Sequence, residues 1–227
     1  MQRFFVWLGS KRAAKNGVGR EGVLLDLAMR RNLPVPNGGI LLDSFYQLCL
    51  EEGVAMVQAG QVVVPEPEAL NELLFTAVRF PQFQTTTTLR TLFPELENLE
   101  IPLAPQQPTA LAHALEVAWT TALQQVPTGA RALLLLETAV VRQRGTAIMH
   151  SGEKDDEVTV LAPELTAVFE QFALPQLQRW GRNKADGPDY VQRLQMLLRG
   201  VRRTFGEEVR HVRWADDGKI CWLLQLD

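Results

Sequence analysis

An α+β fold is predicted for this chain by three features of its sequence: helical periodicities that come first, strand-like segments between Arg131 and Leu161, and a terminal β-hairpin. The hairpin, Val212 to Asp227, is the clearest. Val212 and Trp214 alternate with Arg213, Asp216-Asp217-Gly218 supplies a turn, and Ile220 to Leu224 return as an apolar strand ending on Gln225.

The remaining elements follow in order. Arg3 to Leu8 is a short strand, and Gly9 to Gly19 is a basic, glycine-containing loop. From Glu21, Val23, Leu24, Leu27 and Ala28 recur at helical spacing, and the helix stops near Asn32, ahead of Leu33-Pro34-Val35-Pro36. Ile40 to Leu42 is a buried strand, and Asp43 or Ser44 caps a helix with Phe45, Leu48 and Cys49 on one face, ending at Gly53. A helix runs from Pro67 to Val78, its proline at the harmless first position. Proline and threonine between Phe80 and Pro108 predict loops and edge strands. Thr109 to Gln125 is helical, with Leu111, Leu115, Ala118, Trp119 and Ala122 inward. Arg131 to Val141 and Thr146 to Met149 read as strands joined through Arg142 to Gly145, and Glu157 to Leu161 as a third. Pro163 opens helical sequence to Trp180, Gly181 to Pro188 is a loop, and Asp189 caps a helix from Tyr190 to Phe205. Domain organisation is expected as an N-terminal lobe (1–80), an irregular connection (81–108) and a C-terminal lobe (109–227).

Composition narrows the function classes. At 46% hydrophobic residues, 227 residues suffice for a full core. A formal charge of −3 and a pI near 5.7 argue against a nucleic-acid partner, and Arg199, Arg202 and Arg203 at helical spacing read as a solvated face. Cys49 and Cys221 lie in apolar stretches without metal-ligand spacing, as reduced core residues of a cytoplasmic protein do. The apolar run near the start, about five residues, is too short for a signal segment. No stretch approaches the roughly 20 apolar residues of a membrane span. His113, His150 and His211 sit in separate contexts with neither a metal pattern nor a nucleophile.

Four segments, in order, carry a family resemblance. The helix from Gly22 leads into Leu33-Pro34-Val35-Pro36 and a strand-helix unit, Ala114 to Leu123 resembles a C-W-A-S-L helix, and Leu133 to Glu137 with Gly145 to Ile148 resemble a V-V-Q-R-M strand and its S-G-V-A-F return. The terminal hairpin resembles I-E-W-A, D-G and L-L-Q-x-R-P. Together these resemble the ATP-grasp nucleotide-binding domain of phosphoenolpyruvate synthase and pyruvate phosphate dikinase. The implied fold is a two-lobed ATP-grasp-like domain, contracted and truncated, ending in the hairpin.

The resemblance also implies a degenerate site. Phosphoryl transfer needs cations on the phosphates and carboxylates on the metal. Ungapped counting from Leu33-Pro34-Val35-Pro36 puts the family's phosphate-contacting lysine on Glu21, while a gapped alternative puts it on Lys11. The metal-binding acidic position falls on Arg213, and Gln225 survives. No V-R-S-S-A or G-L-G-E segment is present, and Arg90 is the nearest substitute for the missing arginine. The candidate cleft residues are therefore Lys11, Glu21, Glu137, Arg213 and Gln225, with no catalytic residue and no metal ligand. Without a functional story, Glu21 reads as a helix-dipole carboxylate, and Arg213 and Gln225 as surface residues. The resemblance implies a pseudoenzyme that binds a protein partner and requires no cofactor, with any adenine nucleotide held weakly and without magnesium. The alternative is an ATP-binding phosphotransferase subunit working with separately encoded swivel and pyruvate domains. On the ungapped alignment Glu21 and Arg213, each opposite in charge to its family counterpart, are expected to face one another across one cleft.

Overall fold

The computed structural model describes residues 3–83, 86–92, 99–104, 106–125, 131–138, 141–161, 168–177 and 187–227. They form two compact units, Met1–Asp26 with Asn37–Thr138, and Leu27–Pro36 with Ala139–Asp227. The first contains β1 (Phe5–Trp7), the start of α1 (Arg20–Arg30), β2 (Gly38–Leu41), α2 (Asp43–Glu51), β3 (Met56–Gln58) and β4 (Gln61–Val63). It continues with α3 (Pro67–Glu72), β5 (Thr87–Thr91), β6 (Glu100–Leu103), α4 (Pro108–Gln125) and β7 (Leu133–Glu137). The second contains β8 (Gln143–Met149), β9 (Asp155–Leu161), β10 (Val168–Pro175), α5 (Asp189–Phe205), β11 (Arg210–Asp216) and β12 (Cys221–Leu226). Both main sheets are antiparallel and accompanied by helices, which makes the chain α+β.

In the first unit the strand order is β1-β2-β7-β5-β6. Central β7 is a run of four buried leucines, as a strand covered on both faces requires. Leu133 and Leu135 share a core with Phe45 and Tyr46 of α2, Leu70 of α3 and Leu111, Leu115 and Trp119 of α4. On the other face Ile40 meets α1, and a Cβ on Gly22 would lie 3.2 Å from the Ile40 side chain. The Pro/Thr-rich stretch supplies an interior strand, β5, between β7 and edge strand β6, whose Pro102 needs no ladder donor. The hairpin β3–β4, unforeseen in the sequence, turns on Ala59 and Gly60, both at positive φ. Side chains of α4 secure it: Thr120 Oγ1 accepts from the Val62 N–H at 2.9 Å, and Glu116 from the Val64 N–H at 2.7 Å.

In the second unit the order is β10-β9-β8-β11-β12. The amphipathic α5 buries Val191, Leu194, Leu198 and Val201, at helical spacing, while Val212, Trp214 and Leu223 are buried positions of the terminal hairpin. Tyr190 stacks on Trp214, with centroids 6.0 Å apart. At the edge strand β12, Leu223 donates its N–H to the Pro34 carbonyl at 2.7 Å.

Several expectations are corrected. Val168–Pro175, expected to be helical, is β10: it pairs with β9 from Leu161 back to Asp155, and this long-range ladder overrides local spacing. Residues 162–167 and 178–180 of that expected helix, and 181–186 of the loop after it, lie outside the described residues. β7 and β8 are not a joined pair but belong to different sheets. α3 stops at Glu72 and continues as a π turn, Leu73–Ala77. Neither aspartate caps its helix, the N-cap residues being Leu42 and Pro188. Asp43 instead accepts from the Arg131 N–H and guanidinium, and Ser44 donates to the Arg3 carbonyl. Of the three arginines read as a solvated face, Arg202 is paired with buried Asp156. Both cysteines are free and buried. Among the described residues, no helix is long and apolar enough to cross a membrane.

Candidate functional site

Lys11 lies in the loop after β1 at φ 65, a left-handed conformation uncommon for a residue with a side chain. The loop is pinned from beneath: buried Asp26 of α1 accepts the Lys11 N–H at 3.3 Å and the Ala13 N–H at 3.2 Å. This holds the backbone and leaves the Lys11 side chain exposed.

Glu21 occupies the first turn of α1, where the helix dipole favours a carboxylate. Its Oε1 lies 2.6 Å from Nη1 of Arg90, and Nε of Arg90 lies 2.7 Å from Oε1 of Glu100. Arg90 is 3% exposed. One guanidinium thus sits between two carboxylates that the protein itself supplies. Glu137, at the end of β7, accepts from Nδ2 of Asn37 at 3.0 Å. Asn37 also accepts the Glu137 N–H through its carbonyl at 2.9 Å, so Glu137 closes the β2–β7 ladder.

In the second unit Arg213 and Gln225 are direct cross-strand partners, and Nη1 donates to the glutamine Oε1 at 3.3 Å. The register extends their row across the whole sheet: Gln225, Arg213, Thr146, Thr159 and Gln171 stand opposite one another on five successive strands. Gln171 donates to Thr159 Oγ1 at 3.4 Å. A bulge at Leu224 keeps Gln225 in this row while Leu223 pairs with Trp214 on the buried face. Arg144 lies two residues from Thr146 and shares this polar face. The alternation in Arg144-Gly145-Thr146-Ala147 is its signal, and the strand begins at Gln143, inside the expected connection from Arg142 to Gly145.

Lys11, Glu21 and Glu137 thus belong to one unit and Arg213 and Gln225 to the other, and both Glu21 and Arg213 have a partner within their own unit. His113 and His211 are exposed, and His150 sits 3.3 Å from Glu157. Among the described residues no group of three His, Cys, Asp or Glu side chains is placed to hold a metal.

No family model matches the sequence, and no curated protein matches it. The chain is similar in structure to N5-carboxyaminoimidazole ribonucleotide synthetase in its ADP complex, at 11% identity and a TM-score of 0.52, covering 93% of this chain and 45% of that one. It is also similar to a RimK domain ATP-grasp protein from Sphaerobacter thermophilus, at 12% identity and a TM-score of 0.48, covering 94% of this chain and 60% of that one. A third similarity is to D-alanine–D-alanine ligase from Bacillus anthracis, at 7% identity and a TM-score of 0.47, covering 90% and 55%. The chain spans about half the length of these proteins. The first likeness shows the fold, which is ATP-grasp-like. Assignment to the phosphoenolpyruvate synthase family rests on the sequence motifs alone.

Proposed function

We propose that this chain is a degenerate, phosphoenolpyruvate-synthase-like ATP-grasp domain that serves a protein partner as a non-catalytic binding or regulatory module. The observation that carries the reading is the Glu21–Arg90–Glu100 cluster. A phosphate site needs uncompensated positive charge, whereas this one buries its arginine between two carboxylates. Arg213, at the position of the family's metal ligand, repeats the pattern by placing a cation where magnesium would need an anion. Nucleotide affinity in this reading is weak and gains nothing from magnesium. The test is to supply purified protein with ATP, magnesium and pyruvate and to assay for phosphoenolpyruvate. None is expected, and turnover by this chain alone would overturn the proposal.

One observation favours a second reading. The exposed Lys11 side chain stands on a loop whose backbone is fixed by Asp26, as a phosphate-contacting lysine would require. Here the chain is an ATP-binding phosphotransferase subunit acting with separately encoded swivel and pyruvate domains. The two readings separate in a thermal titration with ATP: at 100 times the dissociation constant a ligand stabilises by about 2.7 kcal/mol. Under the second reading this shift is present and Lys11→Ala abolishes it; under the first there is little to abolish.

A further inference from the structure

We infer that the second unit holds a separate binding site for a small free anionic amphiphile, on the α5 face of its sheet. The site is a cavity of about 520 Å³ whose lining includes Leu33, Pro34, Arg193, Met196, Lys219 and Ile220. That volume falls within the range of about 300–1,000 Å³ that encloses small-molecule ligands. Cys221, which lines it beside Arg193, shares a sheet face with Leu223 and with Trp214, the cross-strand partner of Leu223. The cavity therefore lies behind the sheet, on the face opposite the row of Arg213 and Gln225, and owes nothing to the nucleotide reading.

Its chemistry is two-sided. Met196 is 54% exposed and Ile220 40% exposed. Both line this cavity, beside Leu33 and Pro34, and so offer apolar surface to a guest. The polar side is organised around Arg193. Its Nε and Nη2 donate to the two oxygens of buried Asp216, at 2.6 and 2.8 Å. This fork fixes the guanidinium plane and turns only two of its three nitrogens to the carboxylate, leaving Nη1 as the donor available to a ligand. Lys219 adds a second cation at the hairpin turn, where Asp217 holds its N–H at 2.7 Å. Exposed Arg30 and Arg31 immediately precede the lining residue Asn32. The lining's one carboxylate, Asp189, is exposed in the first turn of α5 and acts electrostatically on Arg193, which Asp216 already pairs. Arg193 thus contributes a hydrogen-bond donor, while the charge facing an anion comes from Lys219 with Arg30 and Arg31 nearby. Cys221 remains a neutral thiol, because burial pushes its pKa up. An apolar body against Met196 and Ile220, with a carboxylate head reaching Lys219 and Arg193, matches this arrangement.

Calorimetric titration of the full chain with decanoate, decanol and decyltrimethylammonium tests the assignment. Decanoate should bind saturably with one site per chain, and more tightly than either analogue. Lys219→Glu should weaken decanoate by roughly tenfold or more, the scale of a charge-assisted contact, and Met196→Asp should abolish its binding. Both positions are exposed, so the variants retain the fold, which urea unfolding midpoints verify. The inference is overturned if decanoate fails to saturate, if both variants keep wild-type affinity, or if decyltrimethylammonium binds as well as decanoate.

Discussion

Arg90 and Glu21 form an ion pair at 2.6 Å inside the first unit, joining an interior strand to the first turn of α1 across 69 positions of sequence. Glu100 completes the cluster from the edge strand. Removing one partner of a buried ion pair leaves its charge uncompensated, whereas replacing both can be nearly neutral. Glu21→Gln should therefore lower unfolding free energy by about 2–4 kcal/mol, moderated by Glu100. The double variant Glu21→Gln/Arg90→Met should recover much of that loss. Urea denaturation of the four proteins in this cycle measures it, and strictly additive losses would show that the pair does not act as a unit.

Arg213 makes the nucleotide proposal testable by reversion. On the proposed alignment, Arg213→Glu would place the carboxylate that the resemblance implies beside Gln225, the cross-strand partner of this position. Magnesium is typically held by one or two carboxylates together with substrate phosphates. The variant should bind ATP more tightly with magnesium than without it, while the wild type should show no such difference. Calorimetry with and without EDTA reads the contrast, and a magnesium requirement in the wild type would reject the proposed role of Arg213.

The backbone motifs were legible and the long-range pairings were not. Leu33-Pro34-Val35-Pro36 and the terminal hairpin, which carried much of the resemblance, meet through the Leu223 N–H and the Pro34 carbonyl at 2.7 Å. Turn chemistry and strand alternation are local, so both ends of that contact could be read. β10 falls in sequence expected to be helical after Pro163, and its long-range partner β9 decides the matter. β5 lies in a stretch whose prolines and threonines predict loops and edge strands, and its place inside the sheet depends on Arg90 being compensated by Glu21 of α1 and Glu100 of β6, which no local pattern encodes. At the candidate site Arg213 and Gln225 were found from the hairpin, but the row extending to Gln171 depends on registers that no local signal encodes.

Asp217 should anchor the terminal turn through its charge. It accepts from the N–H groups of Lys219 and Ile220, both at 2.7 Å, and from the Trp222 indole at 2.9 Å. Burial raises its pKa, but the bonds from Ile220, Trp222 and Lys219 outweigh this and leave it below the ordinary carboxylate value. A depressed folded-state pKa contributes stability above the unfolded value, about 3.9, and that contribution is lost as pH falls through the folded value. Asp217→Asn should cost about 1–2 kcal/mol near neutrality. The gap between wild type and variant in thermal midpoint should close on acidification below about pH 4, and a gap that persists there would assign the effect to shape rather than charge.

The cysteines should be inert in the native state. Burial pushes the Cys49 thiol up to about 12 and raises Cys221 as well. Since the thiolate is the nucleophile, iodoacetamide at neutral pH should label neither residue until urea unfolds the chain. Rapid native labelling of Cys221 would mean that the floor of the α5 cavity opens more readily than its 4% exposure indicates.

Gly145 should be irreplaceable for a steric reason separate from backbone flexibility. It sits in β8 opposite Trp214 on one side and Val160 on the other. A Cβ there would lie 2.0 Å from the Thr159 carbonyl oxygen and 2.9 Å from Cζ2 of Trp214. The oxygen belongs to the backbone of neighbouring β9 and cannot rotate away, and Trp214 is held by its stack on Tyr190. Alanine would therefore have to part β8 from β9 or expel the indole from the core. Overpacking typically costs about 1–3 kcal/mol and occasionally more, and backbone contact at this distance puts Gly145→Ala at the upper end, about 3 kcal/mol or above. Chemical denaturation monitored by tryptophan fluorescence should show a greatly lowered midpoint or no folded baseline. A wild-type midpoint would mean that the β8–β9 register differs from Gly145 opposite Val160.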